Sequence, residues 1–162
     1  MTYETQYDYY IKEGILSTHK NFQSSEDLAE HENKRREIFT EKLLLPPKIF
    51  KDSNLIEFGP DCGECSLVFA SWGANCRLVE PNPATHNIIK NYFQMFNLTS
   101  KLEGIDELDV KGFSDSFDSL VTKKYDFIDA EGFIYTIKPN QTWIKLFSKL
   151  LEKEGFALID YY

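Results

Sequence analysis

The chain of 162 residues reads as a single α/β domain, a doubly wound parallel sheet with helices on both faces, preceded by an N-terminal helical segment. Three observations predict this. Short apolar runs recur, several of them closed by Gly or Pro. Stretches with helical spacing alternate with those runs. Pro46-Pro47 separates this alternating region from a highly charged helical stretch before it. The expected division is residues 1–47 as the helical segment and 48–162 as the core.

Residues 2–44 carry scattered apolar positions among charges, with Ser24 or Ser25 placed to cap a helix whose first turn holds Glu26 and Asp27. Tyr3, Tyr7, Tyr9, Tyr10, Ile11, Ile15 and Leu16 make its start rich in aromatic and apolar residues. The first strand is Leu55-Ile56-Glu57-Phe58, ending at Gly59, and residues 63–72 form the helix after it. Arg77-Leu78-Val79 is a second strand, closed by Glu80-Pro81-Asn82-Pro83. A helix follows over 84–96, with Ile88, Ile89, Tyr92, Phe93 and Phe96 near one face. Leu102 to Ile105 is a weak third strand, 125–129 a fourth and 156–159 a fifth, with a helix over 142–151 between the last two. The connections should be right-handed.

Composition narrows the function classes. Apolar residues make up 42% and aromatic residues 15%, so the chain has the means to fold. The net charge of −8, with Lys34-Arg35-Arg36 as its longest basic run, disfavours a nucleic-acid partner. The start has no signal-peptide pattern and no apolar run reaches membrane-spanning length, so the expectation is a cytoplasmic protein without a membrane partner. Three cysteines, Cys62, Cys65 and Cys76, do not suggest a disulfide framework.

The chemistry-bearing stretch is Glu57-Phe58-Gly59-Pro60-Asp61-Cys62-Gly63, between the first strand and its helix. Glycine lets such a loop turn sharply and approach a ligand closely, and the helix start offers free N–H groups. Glu80 ends the second strand, where a carboxylate can accept hydrogen bonds from the two hydroxyls of a ribose. In this the sequence resembles the class I S-adenosylmethionine-dependent methyltransferases, which are Rossmann-like. Glu57, Gly59 and Gly63 match their first motif, and Val79-Glu80-Pro81-Asn82 their second. Asp129-Ala130-Glu131-Gly132 falls where their fourth-strand motif lies, so the resemblance covers roughly residues 50–162.

The resemblance implies S-adenosylmethionine as cofactor and a set of roles. Gly59 and Gly63, with Phe58, Pro60 and Asp61 between and beside them, would border its amino-acid and ribose parts. Glu57 would help hold the methionine ammonium. Glu80 would hold the ribose, with Pro81 and Asn82 beside it, and Asp106 would meet the adenine amino group. Asp129 and Glu131 would border the methyl-transfer site as candidate catalytic groups, Asp129 also touching the cofactor. Asp61 departs from the family pattern, which often has a middle glycine there. His86 and His19 are further candidate bases, needed only if the acceptor must lose a proton. The family's signature for exocyclic amines is absent, so a small molecule or sugar is favoured as acceptor over nucleic acid. The family sheet has seven strands, and here the usual last two are missing. This implies a piece of a longer protein, or an open fifth-strand edge available to a second copy of the chain.

Other readings compete. Cys62-Gly63-Glu64-Cys65 is a C-x-x-C at a helix start, the arrangement of redox thiols. It lacks a second ligand pair, so no metal is expected from it. A nicotinamide dehydrogenase would need G-x-G-x-x-G, which the loop does not have. A methyltransferase-like domain that only binds cofactor or a partner is the remaining alternative.

Overall fold

Five parallel strands form one sheet in the order β3-β2-β1-β4-β5, where β1 is Asn54–Phe58, β2 Asn75–Val79, β3 Leu102–Asp106, β4 Tyr125–Ala130 and β5 Leu151–Ile159. The structure is a computed structural model that describes residues 6–16 and 19–160, with side chains from Tyr9 onward. Tyr3, the Tyr7 side chain, Tyr161 and Tyr162 lie outside the described residues. The strand order reverses between β1 and β4. A crevice at the carboxyl ends of these strands is the expected ligand position in such a sheet.

Helices α2 (Ser25–Glu37), α3 (Glu64–Ser71) and α4 (Pro83–Met95) cover one face, and α5 (Val110–Asp115) and α7 (Gln141–Leu150) the other. The short α6 (Phe117–Leu120) follows α5, and α1 (Gln6–Glu13) precedes α2. The side chains of β1 divide between the faces with period two. Leu55 joins the α2–α4 core, while Ile56 and Phe58 join the α5–α7 core. This alternation sends Glu57 to the α3 side, where it meets Ser66.

The helix expected over 2–44 is interrupted. Gly14, at φ 63°, follows α1, and α2 restarts under a capping box in which the Ser24 hydroxyl and the Asp27 carboxylate satisfy each other's backbone N–H groups. One π-helical turn, Ile38–Lys42, continues α2 and delivers Phe39 to the interior. Phe39 stacks edge-on against Phe50, Phe69 and Trp72 and lies near Phe127, so one aromatic core spans both sides of Pro46-Pro47. Truncating a phenylalanine in such a core costs about 3–5 kcal/mol.

Two further differences concern the end of the chain. α5 and α6 fall where the sequence predicted nothing, being too short to show periodicity. β5 starts directly after α7, earlier than the expected 156–159, because its pairing with β4 slips between Tyr125↔Leu151 and Phe127↔Phe156. Gly155 sits at that slip. A Cβ there would lie 3.0 Å from the carbonyl oxygens of Tyr125 and Asp126, so only glycine allows the close approach. Among the described residues, no strand pairs with the outer side of β5. No helix of the described residues is long and apolar enough to cross a membrane.

Candidate cofactor site

At the carboxyl end of β1 the chain makes a loop with three left-handed residues, Gly59 (φ 66°), Asp61 (φ 53°) and Gly63 (φ 84°). Aspartate tolerates this region better than most side chains, so the position where a glycine is usual still turns. The loop is anchored to β2 by the Gly59 N–H, which donates to the Val79 carbonyl at 2.9 Å, and closed on itself by Gly63 N–H to the Pro60 carbonyl at 2.8 Å. Gly63 caps α3, and a Cβ on it would come within 3.0 Å of Ile89 Cγ1. Phe58 and Pro60 are buried at the loop's base.

Glu80 follows β2, and its carboxylate faces this loop. Oε2 accepts from the Asp61 N–H at 3.1 Å and Oε1 from the Asn82 N–H at 2.8 Å. Burial raises its pKa to about 7, against the lowering effect of those two N–H groups. Each oxygen keeps lone pairs for further donors. Asn82 caps α4 through its Oδ1, which accepts from Ala84 N–H, and its Nδ2 reaches the Ile15 carbonyl at 3.5 Å. Pro81, between them, is half-buried. Glu80 itself is only 1% exposed. Asp106 ends β3 beside this group, its carbonyl accepting from the Glu80 N–H. Its carboxylate is held by Arg77 at 2.7 and 3.1 Å, so any adenine contact would be shared with that ion pair.

The end of β4 has a different character. Asp129 pairs in register with Glu57 of β1, on the face toward α2 and α3. Glu57 accepts from Ser66 Oγ at 2.5 Å, and burial raises its pKa to about 7. Asp129 is 1% exposed, and its Oδ1 has no hydrogen-bond partner among the described residues. Burial first, then the nearby Glu57 and Glu131, hold its carboxyl well above the usual range. Glu131, half-buried, pairs with Arg35 of α2 at 2.5 Å. The Arg35 guanidinium lies over the rings of Phe39 and Phe69, and its Nε is buried without a hydrogen-bond partner among the described residues. Arg35 is the residue that sequence reasoning missed, because only the tertiary packing of α2 brings it to β4. Gly132, at φ 85°, turns the chain away, its N–H bonded to Asp160.

The two candidate histidines lie beside Glu80 and the glycine loop. His86 is on α4, its Nε2 2.8 Å from the Glu80 carbonyl oxygen. His19 stacks on Tyr92. The cysteines are unpaired, and burial pushes the Cys62 and Cys65 thiols up, opposite to what a redox thiolate needs.

A family model described as a methyltransferase domain matches residues 18–162. No curated protein matches the chain in sequence. Among solved structures, coclaurine N-methyltransferase bound to N-methylheliamine and SAH superposes with a TM-score of 0.61 at 13% identity, over 89% of this chain and 38% of that one. An SAM-dependent methyltransferase from Thiobacillus denitrificans, in complex with S-adenosyl-L-homocysteine, gives 0.61 at 14% identity, over 93% of this chain and 53% of the other. An S-adenosylmethionine-dependent methyltransferase from Clostridium acetobutylicum gives 0.61 at 14% identity, covering 78% and 49%. The chain thus spans between about a third and a half of these three structures' lengths.

Proposed function

Because the chain belongs to the methyltransferase domain family, we propose that it binds S-adenosylmethionine at the carboxyl ends of β1, β2 and β4 and transfers its methyl group to a small-molecule or sugar acceptor. The observation that carries this is the pairing of the left-handed Gly59–Gly63 loop with the Glu80 carboxylate, which the loop's own Asp61 N–H contacts. The donor set fits the cofactor: Glu80 for the ribose, Glu57 and the partnerless Asp129 Oδ1 for the cationic methionine end, and Asp106 at the adenine edge. Bound there, the cofactor supplies an already activated sulfonium methyl. The protein's part is to orient the acceptor and keep water out. Glu131 borders the acceptor side, held in place by Arg35. Unpaired cysteines suit a reducing cytoplasm.

The N-terminal segment acts as a cover in this reading. Asn82 contacts the Ile15 carbonyl, and Glu80 is enclosed, so cofactor exchange requires that segment to shift. A second reading, a cofactor- or partner-binding domain without catalysis, draws on the state of the two acids near the acceptor. Asp129 is enclosed and Glu131 is tied to Arg35, so neither stands ready to take a proton.

Isothermal titration with S-adenosylhomocysteine tests the binding reading. One site per chain is expected, and Glu80→Ala should weaken it roughly ten- to a hundred-fold, the loss of charge-assisted hydrogen bonds. A folded chain that takes up no ligand at millimolar concentration would sink the proposal. In stopped-flow displacement of the same ligand, deleting residues 1–20 should speed release if they cover the site.

A further inference from the structure

Three potential metal ligands converge beside the cofactor loop, outside the groups used above. The ligand atoms of His19, Cys62 and Glu64 lie within 4.8 Å of one another, with His19 Nδ1 4.0 Å from Glu64 Oε1. Cys62 and Glu64 flank Gly63 at the start of α3 and are 0% and 5% exposed. His19 arrives from the segment before α2, with its ring stacked on Tyr92 at 6.1 Å. We propose that these three residues bind a divalent ion of zinc's type, which clips the N-terminal segment to the cofactor loop.

The donor chemistry favours this class of ion. One imidazole, one thiol and one carboxylate make a mixed N, S, O set of borderline softness, suited to zinc more than to magnesium or calcium. Three protein ligands leave a fourth tetrahedral position for water. Ligand bonds of about 2.0–2.3 Å require donors about 3.2–3.8 Å apart. The His19–Glu64 separation of 4.0 Å is already near that size, and the partly exposed His19 ring is free of the packing that fixes Cys62 and Glu64.

The surroundings already orient the ligands. The Lys20 N–H donates to Glu64 Oε1 at 2.9 Å, and the His19 ring is stacked on Tyr92, whose hydroxyl, 3.3 Å from Nδ1, gives up that nitrogen when it binds the ion. Asp61 and Glu80 add negative charge around the thiol, which a cation would offset. On binding, Cys62 gives up its proton to solvent. The C-x-x-C spacing does not reveal this group, because Cys65 is not among the three and His19 is remote in sequence. The proposal does not depend on methyl transfer.

Cobalt(II) added to the metal-stripped full chain is the test, with zinc as competitor. The expected result is one ion per chain, an intense thiolate-to-cobalt band in the near ultraviolet, and tetrahedral visible absorption that zinc abolishes. Cys62→Ser should remove the thiolate band. His19→Ala, at a partly exposed position that leaves folding intact, should weaken zinc binding roughly tenfold or more, since even outer partners of a metal contribute that much. Cys65→Ser should change neither. Absence of the thiolate band, its survival in Cys62→Ser, or unchanged affinity in His19→Ala would each overturn the assignment.

Discussion

The two halves of the crevice solve the burial of acids in opposite ways. On the β2 side, Glu80 is enclosed but both its oxygens accept backbone N–H groups from residues within its own loop and the glycine loop. On the β4 side, Glu57, Asp129 and Glu131 gather in one place, answered among the described residues chiefly by the Arg35 guanidinium from α2 and the Ser66 hydroxyl, with one backbone N–H, that of Ala130, on Asp129. Backbone donors come with the local turn and depend on few side chains. A guanidinium from a distant helix is one side chain, and everything around it depends on that one group. The β2 side should therefore tolerate most side-chain changes nearby, and the β4 side should not.

Removing Arg35 is the strongest way to expose this difference. Arg35→Met leaves Glu131 unpaired beside two buried carboxyls, which costs about 3 kcal/mol in a buried pair. The melting temperature should fall by about 6–12 °C for a domain of this size. Adding Glu131→Gln should restore part of the loss. A single variant that melts with the wild type would show that the acids are satisfied without the guanidinium.

On the other side of the crevice the backbone, not a charge, is the sensitive point. Gly63→Ala places a Cβ at a left-handed position and against Ile89, at a cost of about 1–3 kcal/mol. It should also weaken S-adenosylhomocysteine, as followed by titration. Retained stability with retained affinity would mean that the turn does not need its φ of 84°.

The smallest effect is one of pH. Burial raises the Glu57 pKa from its ordinary 4.5 to about 7, so between those limits the native state holds more protons than the unfolded state. Stability therefore falls as pH rises from 4.5 to 7, and the raised Asp129 carboxyl acts in the same direction. Glu57→Gln should flatten that slope in urea unfolding at pH 5 and pH 7.5. An identical slope in wild type and variant would place the proton uptake elsewhere.

What the sequence showed follows the same division. The glycine loop, Glu80 and the strand that carries Asp129 are all legible, because each depends on residues close together in the chain. The place of Asp106 at the end of β3 is legible too, but not its tie to Arg77, which shares the spacing of an ordinary strand residue. Arg35 read as part of a solvated charge run, and nothing local distinguishes it from Lys34 or Arg36. The break between α1 and α2 was missed because Gly14 stands among residues with good helix propensity. The early start of β5 was hidden because Glu152-Lys153-Glu154 looks like the end of a helix, and pairing with β4 overrides that preference.

The aromatic core around Phe39 has a consequence for how the chain comes to be folded. Phe39 and Phe127 meet from opposite ends of the sequence, and α2 cannot complete its packing until β4 exists. Contacts of such long range slow the search for the native state, because a large loop must close before they contribute. Phe39 and Phe50 can meet Phe69 and Trp72 as soon as α3 exists, but the side of their cluster that Phe127 closes stays open until the fourth strand has formed.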